Sequence, residues 1–135
     1  MSLTKKTEYA LRALCEITIS GNGKPLSRKI ISKNQDISEH FLEQIFIPLQ
    51  KKGIVKSVRG PGGGFLLNKD KSEITVWDIY SVVEENENFY NKCALKRNEV
   101  CKYSKNCNIK NIWNKIDQSL KETMTKISLI DIMNE

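Results

Sequence analysis

The chain has 135 residues, a hydrophobic content of 39% and a formal net charge of +6. The length suits one domain, or one domain with an appended element, and the hydrophobic content can support a core. The longest apolar runs are far too short to span a membrane, and no signal peptide precedes the first predicted helix. We therefore expect a cytoplasmic protein without a membrane partner.

The excess positive charge lies in the first half of the chain. Residues 1–60 hold 11 Lys or Arg against 5 Asp or Glu, whereas residues 61–135 hold 11 of each. This asymmetry points to a polyanionic partner, with a solvated basic face as the alternative.

The first predicted element is an amphipathic helix over residues 4–20, which a break at residues 21–25 ends. Its predicted inner face consists of Ala10, Leu14 and Ile17, widened by Leu11, Ala13 and Ile19. Ser27 can cap a second helix over about residues 28–34, with Ile30 and Ile31 inward.

Ser38 can cap a third helix that reaches about Lys52, and Gly53 is a natural stop after it. Pro48 conflicts with a regular helix, so we expect a kink or two helical pieces. The residues predicted to be buried are Phe41, Leu42, Ile45, Phe46 and Leu49. Two short helices joined by a tight turn are typical of a helix-turn-helix, although any small helical bundle could look similar.

The next segment favours the helix-turn-helix. Residues 54–59 and 65–67 predict two strands, and the turn between them reads Gly-Pro-Gly-Gly-Gly. A hairpin directly after a recognition helix is typical of a wing. A nucleotide phosphate loop is excluded, because the turn lacks the G-x-x-x-x-G-K-[ST] pattern and no helix follows it directly.

Candidate DNA-binding residues lie at the starts of the two motif helices and at the wing. N-terminal residues of a recognition helix reach base edges. Gln44 can pair with adenine and Glu43 can accept from cytosine, with a plain surface carboxylate as the alternative for Glu43. Arg59 can enter a minor groove or hold a phosphate. The predicted set is Ser27, Arg28, Ser38, His40, Phe41, Glu43, Gln44, Arg59, Gly60 and Pro61.

Thr75 can cap another helix, with Asp78 as its capping-box partner. A long helix follows Cys107, and its apolar stripe has near-heptad spacing. The stripe consists of Ile109, Ile112, Ile116, Leu120, Thr123 and Ile127. Little chain remains to cover it, which predicts a dimer helix, with packing on residues 4–20 as the alternative. Residues 129–133 form an apolar tail that should dock back.

Three cysteines, Cys93, Cys101 and Cys107, fall in a polar segment with the spacing C-x7-C-x5-C. Thiolates favour iron–sulfur clusters, zinc and copper(I). A disulfide would leave one thiol unpaired, and structural zinc usually shows short C-x2–4-C pairs. The spacing thus favours a metal or cluster site, with redox-active thiols next. Cys15, within an apolar pattern, is expected to be a buried hydrophobic residue.

Several motifs resemble the bacterial IscR/NsrR family of winged-helix transcription regulators. They are Leu3-Thr4 with Tyr9-Ala10, Leu42-Glu43-Gln44, the wing sequence Val-Arg-Gly-Pro-Gly-Gly-Gly-Phe at 58–65, and the three cysteines. The resemblance covers nearly the whole chain. It implies a homodimer that binds a pseudo-palindromic double-stranded DNA operator under the control of an iron–sulfur cluster, 2Fe-2S or 4Fe-4S.

The chain departs from the IscR pattern at the cluster. The first gap is seven residues rather than five, and Lys110 stands where those proteins have a histidine ligand. The chain's only histidine, His40, is assigned to DNA. The C-x7-C-x5-C spacing occurs among NsrR-like members, which can take a carboxylate from the other subunit. The matching residue is Glu8, and a surface pair with Lys5 or Arg12 is the alternative.

The predicted fold is mainly α with a small β-hairpin. A winged helix-turn-helix domain spans residues 1–83, and a cysteine loop with a dimerisation helix spans residues 84–135. The predicted function is a transcription regulator, a repressor, that senses cluster supply, nitric oxide or redox state. The alternative is a small iron–sulfur electron-transfer protein. We do not expect an enzyme, because no acid–base pair accompanies a nucleophile.

Overall fold

The computed structural model describes residues 4–84 and 107–135. Over these residues the chain forms six α-helices and one two-stranded antiparallel sheet. The elements are α1 (Lys5–Gly21), α2 (Arg28–Gln35), α3 (Glu39–Lys51), β1 (Val55–Val58), β2 (Gly64–Leu67), α4 (Val76–Val83), α5 (Asn108–Lys126) and α6 (Leu129–Met133). The predicted fold class, mainly α with a small hairpin, is confirmed.

The helices begin where local capping chemistry predicts. The hydroxyl of Ser27 accepts the N–H of the third residue of α2 at 3.2 Å, and Ser38 does the same for α3 at 3.1 Å. Thr75 and Asp78 form both bonds of a capping box, at 3.1 and 3.0 Å. Each bond satisfies an N–H group that a helix start would otherwise leave without a partner.

One hydrophobic core joins most of the described elements. Its buried side chains come from α1, α2, α3, β1 and α4 and from the connecting segments. Leu129 of α6 is fully buried in the same core, so the C-terminal tail docks back as predicted. A smaller cluster forms where Met124 of α5 packs against Val76 and Tyr80 of α4.

Two isoleucines predicted to face the core point outward instead. Ile30 is 46% exposed while Ile31 is fully buried, because adjacent helical residues lie about 100° apart and both cannot face one side. Ile19 is 62% exposed. It lies in the last turn of α1 at the rim of a groove, where little neighbouring chain covers it.

Pro48 does not divide α3, which runs as one helix from Glu39 to Lys51. The expectation of two helical pieces is therefore wrong. A proline inside a helix costs about 3 kcal/mol. Full burial of Ile45 and Leu49 on either side of Pro48 offsets this cost, since each large apolar side chain contributes about 1.5–3 kcal/mol.

The hairpin lies directly against α3. Its strands pair from Val55 with Leu67 to Val58 with Gly64. The ring of Phe65 stacks on that of Phe46 in α3, with 4.2 Å between ring centroids. The wing is thereby fixed relative to the recognition helix.

None of the described helices combines the length and the apolar character that a membrane crossing requires.

Candidate nucleic-acid interface and thiolate site

Helices α2 and α3 form a tight helix-turn-helix. Asp36 ends α2 in the left-handed conformation, with φ of 53°, and α3 begins three residues later. Ile37 in the turn is only 3% exposed, so the connection is held against the core. The N-terminal turn of α3 consequently stands at the surface, in the position that reads DNA in this motif.

Four of the predicted DNA-binding residues share the exposed N-terminal half of α3 and its cap. They are Ser38, His40, Glu43 and Gln44. The amide nitrogen of Gln44 lies 3.3 Å from Nε2 of His40, one helical turn away. Both side chains are exposed, so this contact can exchange for contacts with base edges.

Phe41 is placed differently from these four residues. It is half-buried, and its ring meets Tyr9 of α1 edge-on with centroids 5.5 Å apart. Such aromatic pairs are worth about 0.5–1.5 kcal/mol beyond their area. Phe41 therefore holds the start of α3 against α1, and Tyr9 is a positioning residue that sequence reasoning missed.

Arg28 at the start of α2 forms ion pairs with two carboxylates of α3. Its guanidinium nitrogens lie 3.9 Å from Glu39 and 3.5 Å from Glu43. Sequence reasoning missed Glu39, although its spacing of four residues from Glu43 places both on one helix face. Because these groups are substantially exposed, the pairs are weak and can yield to a phosphate. Ser27 beside Arg28 is half-buried in its capping role.

The wing tip presents Arg59, Gly60 and Pro61 to solvent. Gly60 and Gly62 have positive φ angles of 94° and 74°, and a side chain at either would meet nothing within 4 Å. The two glycines thus make the turn possible and leave the backbone of the tip open to a nucleic-acid groove.

Cys107 is the described member of the cysteine triplet. It is half-buried at the N-cap of α5, and its thiol makes no capping hydrogen bond. The first turn of α5 contains no acidic residue and includes Lys110. Cys93 and Cys101 lie outside the described residues, and within those described no group of three or more potential metal ligands is present.

Glu8 lies on the exposed side of α1, where its carboxylate is 3.6 Å from the guanidinium of Arg12. The surface pair considered as the alternative is therefore present within the chain. Arg12 also donates to the side chain and the carbonyl of Gln35 at the end of α2, at 3.2 and 3.3 Å. The Glu8 side chain remains 48% exposed, so a second chain can reach it.

Cys15 has a different environment from that of Cys107. It packs half-buried against the core on α1, as the apolar pattern predicts, and burial raises the pKa of its thiol. A raised pKa disfavours the reactive thiolate, in keeping with the packing of Cys15 against the core.

An exposed recognition helix, a tight turn and a hairpin fixed beside them define a winged helix-turn-helix DNA-binding protein. The sequence pattern of the Rrf2 family, described as iron-dependent transcriptional regulators, matches residues 3–135. The chain belongs to this family and is a transcription regulator.

Named relatives agree with this assignment. The chain is 36% identical to the HTH-type transcriptional regulator IscR of Serratia proteamaculans over 134 residues, which cover 99% of this chain and 80% of that one. The structure of T. potens IscR matches with a TM-score of 0.75 at 29% identity, covering 99% of this chain and 87% of the other. CymR, the global cysteine regulator of B. subtilis, matches with a TM-score of 0.76 at 30% identity, covering 98% and 95%. The predicted resemblance is confirmed, and proteins of this class are not enzymes.

Proposed function

We propose that the protein is a homodimeric repressor whose binding to a DNA operator is controlled by an iron–sulfur cluster. The observation that carries this proposal is the cysteine triplet, with its C-x7-C-x5-C spacing in the sequence. Its last member, Cys107, occupies the N-cap position of the long helix α5, and its thiol makes no capping hydrogen bond. The triplet belongs to a winged-helix chain whose relatives include IscR.

We assign DNA binding and cluster binding to different parts of the chain. Residues 1–83 carry the DNA-binding surface and most of the net positive charge, and residues 84–135 carry the cysteine triplet and α5. The ten predicted DNA-binding residues, from Ser27 to Pro61, lie at the start of α2 and its cap, in the N-terminal half of α3 and its cap, and on the wing. Phosphate contacts from Arg59 position the wing, while Glu43 and Gln44 read base edges.

The apolar stripe of α5 supports the homodimer. Ile109 and Ile112 are 55% and 56% exposed, and Ile127 is 37% exposed. Met124, the buried residue of α5, faces α4. It leaves Ile109 and Ile112 exposed, while Ile116 and Leu120 are half-buried. Pairing α5 with its copy would bury the stripe and set two recognition helices about one turn of DNA apart.

The donor set fits an iron–sulfur cluster. Cys93, Cys101 and Cys107 would supply three thiolates, the ligand type that such clusters prefer. Lys110 donates hydrogen bonds and does not ligate, which leaves Glu8 of the other protomer as the fourth ligand. When bound, the cluster would supply a centre whose stability depends on iron, oxidants or nitric oxide. The Glu8 carboxylate is a hard ligand that would exchange readily with a small molecule.

The test is a gel shift with the promoter region upstream of the protein's own gene, performed without oxygen. We expect specific binding that weakens steeply with rising salt, because phosphate contacts release counterions. Protein with and without its cluster, monitored by visible absorption, should differ in operator affinity. The electron-transfer alternative instead predicts a cluster without specific DNA binding.

A further inference from the structure

The carboxylate of Glu84 joins the end of α4 to the start of α1. Its Oε1 accepts a hydrogen bond from the hydroxyl of Thr7 at 2.6 Å and another from the hydroxyl of Thr4. These partners lie 77 and 80 residues away in sequence. Thr7 is fully buried, so its hydroxyl depends on this acceptor.

Glu84 lies at the boundary between α4 and the segment that carries Cys93 and Cys101. Glu84 is the C-cap of α4, held by a backbone bond of 3.0 Å to the carbonyl of Tyr80. The segment that carries Cys93 and Cys101 begins at the next residue. The last described residue before that segment is therefore anchored on α1.

The threonines that bond Glu84 lie close to a contact between α1 and the recognition helix α3. Thr7 is followed directly by Glu8, and Tyr9 after it contacts Phe41 in the first turn of α3. A displacement of the first turn of α1 would reach the recognition helix through this aromatic pair, since packed side chains transmit small shifts.

We propose that Glu84 is a positioning residue that couples the cysteine segment to the recognition helix. This inference rests on the proposed cluster control of DNA binding. In a dimer, Glu84 would anchor the start of its own cysteine segment. Through its bond to Thr7 it would also hold the turn of α1 whose Glu8 binds the partner's cluster. One side chain would thus link the start of the cysteine segment to the turn of α1 that carries Glu8 and precedes Tyr9.

The experiment measures operator affinity with and without the cluster, and takes the ratio of the two dissociation constants. Coupled sites typically give ratios of about 5–150. Glu84→Ala removes both acceptor bonds and should reduce the ratio to below about threefold. Glu84→Gln keeps an oxygen that accepts from both threonines, so it should retain the wild-type ratio.

Asp78→Ala is the matched control for stability, because it weakens the other end of the same helix without touching α1. It should lower the melting temperature and leave the ratio unchanged. If Glu84→Ala does not fold, Thr7→Val removes the buried bond from the other side and should reduce the ratio in the same way.

Two outcomes separate the two proposals. A large wild-type ratio that Glu84→Ala or Thr7→Val leaves intact would overturn the positioning role alone. A wild-type ratio of one would refute cluster control, and the positioning role with it. Hydrogen exchange on cluster-free protein adds a second readout, since Glu84→Ala should accelerate exchange in the first turns of both α1 and α3. Faster exchange confined to α1 would overturn the link to α3.

Discussion

Phe65 in the wing and Leu26 before α2 exchange both of their backbone hydrogen bonds. The N–H of Phe65 donates to the carbonyl of Leu26 at 2.8 Å, and the N–H of Leu26 donates back at 3.1 Å. Leu26 immediately precedes the cap of α2. The wing is therefore held to the helix-turn-helix by backbone pairing as well as by the stacked ring of Phe65.

Gly64→Ala should break this attachment. An added Cβ would lie 2.2 Å from the Leu26 carbonyl oxygen, and the φ of 151° disfavours any side chain. We expect a loss of about 2–4 kcal/mol in the free energy of unfolding, from backbone strain and overpacking together. Thermal denaturation measures the loss, and a gel shift should show operator affinity reduced at least tenfold.

Gly62→Ala is the control for Gly64→Ala. A Cβ at Gly62 meets nothing within 4 Å, so only the positive φ of 74° opposes the substitution. We expect a loss of about 1 kcal/mol. Equal effects of the two substitutions would show that the contact with Leu26 does not hold the wing.

Features that depend on neighbouring residues in sequence were predictable. The caps at Ser27, Ser38 and Thr75 act over three residues, and the sequence contains all that is needed to place them. The apolar stripe of α5 and the turn glycines are also local patterns.

Features that depend on distant parts of the chain were not predictable. The orientation of Ile19 depends on what covers the end of α1. The hydrogen bonds between Thr7 and Glu84 and between Leu26 and Phe65 join residues that are far apart in the sequence. No local sequence pattern indicates that these residues meet. Among the described residues, α5 packs on α4 through Met124 and leaves Ile109 and Ile112 exposed, so its pairing with a copy stays a prediction.

Arg59→Ala should weaken operator binding without loss of the fold, because Arg59 is exposed at the wing tip. Removing one phosphate contact should reduce the slope of log affinity against log salt by about 1. Arg59→Lys is the control, since it keeps the charge but not the planar guanidinium. If the alanine variant binds as wild type at every salt concentration, the wing does not contact DNA.

Ile116→Asp should disrupt the dimer. Ile116 lies in the centre of the α5 stripe, and an aspartate there would place a charge in the apolar seam without a partner. Sedimentation should report a monomer or aggregate in place of a dimer. Ile19→Asp is the control, because Ile19 is an exposed isoleucine outside the stripe. A stable dimer of Ile116→Asp would exclude α5 as the interface.

Glu16 should contribute stability that depends on pH. The hydrogen bond from Asn34, at 2.7 Å, lowers the pKa of Glu16, and bonds from Ser20 and Gln35 add to the effect. A pKa lowered on folding stabilises the protein above the unfolded pKa, and this contribution is lost as pH falls through the folded value.

Glu16→Gln should therefore cost less than about 1 kcal/mol of unfolding free energy at pH 7, because solvent screens these largely exposed bonds. The cost should shrink below about pH 4, where the wild-type carboxylate becomes protonated in the unfolded state and then in the folded state. Urea denaturation at pH 7 and pH 3 measures this difference. A cost that does not change with pH would contradict the assigned role of the carboxylate. The exposed Glu73→Gln serves as the control.

The last prediction separates two roles for Glu8, fourth ligand or plain surface partner of Arg12. Cys101→Ala, prepared without oxygen, should lose the iron–sulfur absorption, because it removes one of three thiolates. Glu8→Ala should keep the cluster with a shifted spectrum and weaker control of operator binding, since the remaining position would be open to solvent. Arg12→Ala removes the 3.6 Å ion pair but leaves the carboxylate in place. If Glu8 is a ligand, Arg12→Ala keeps the wild-type spectrum. If Glu8→Ala also keeps that spectrum and full control of DNA binding, the fourth ligand is another group.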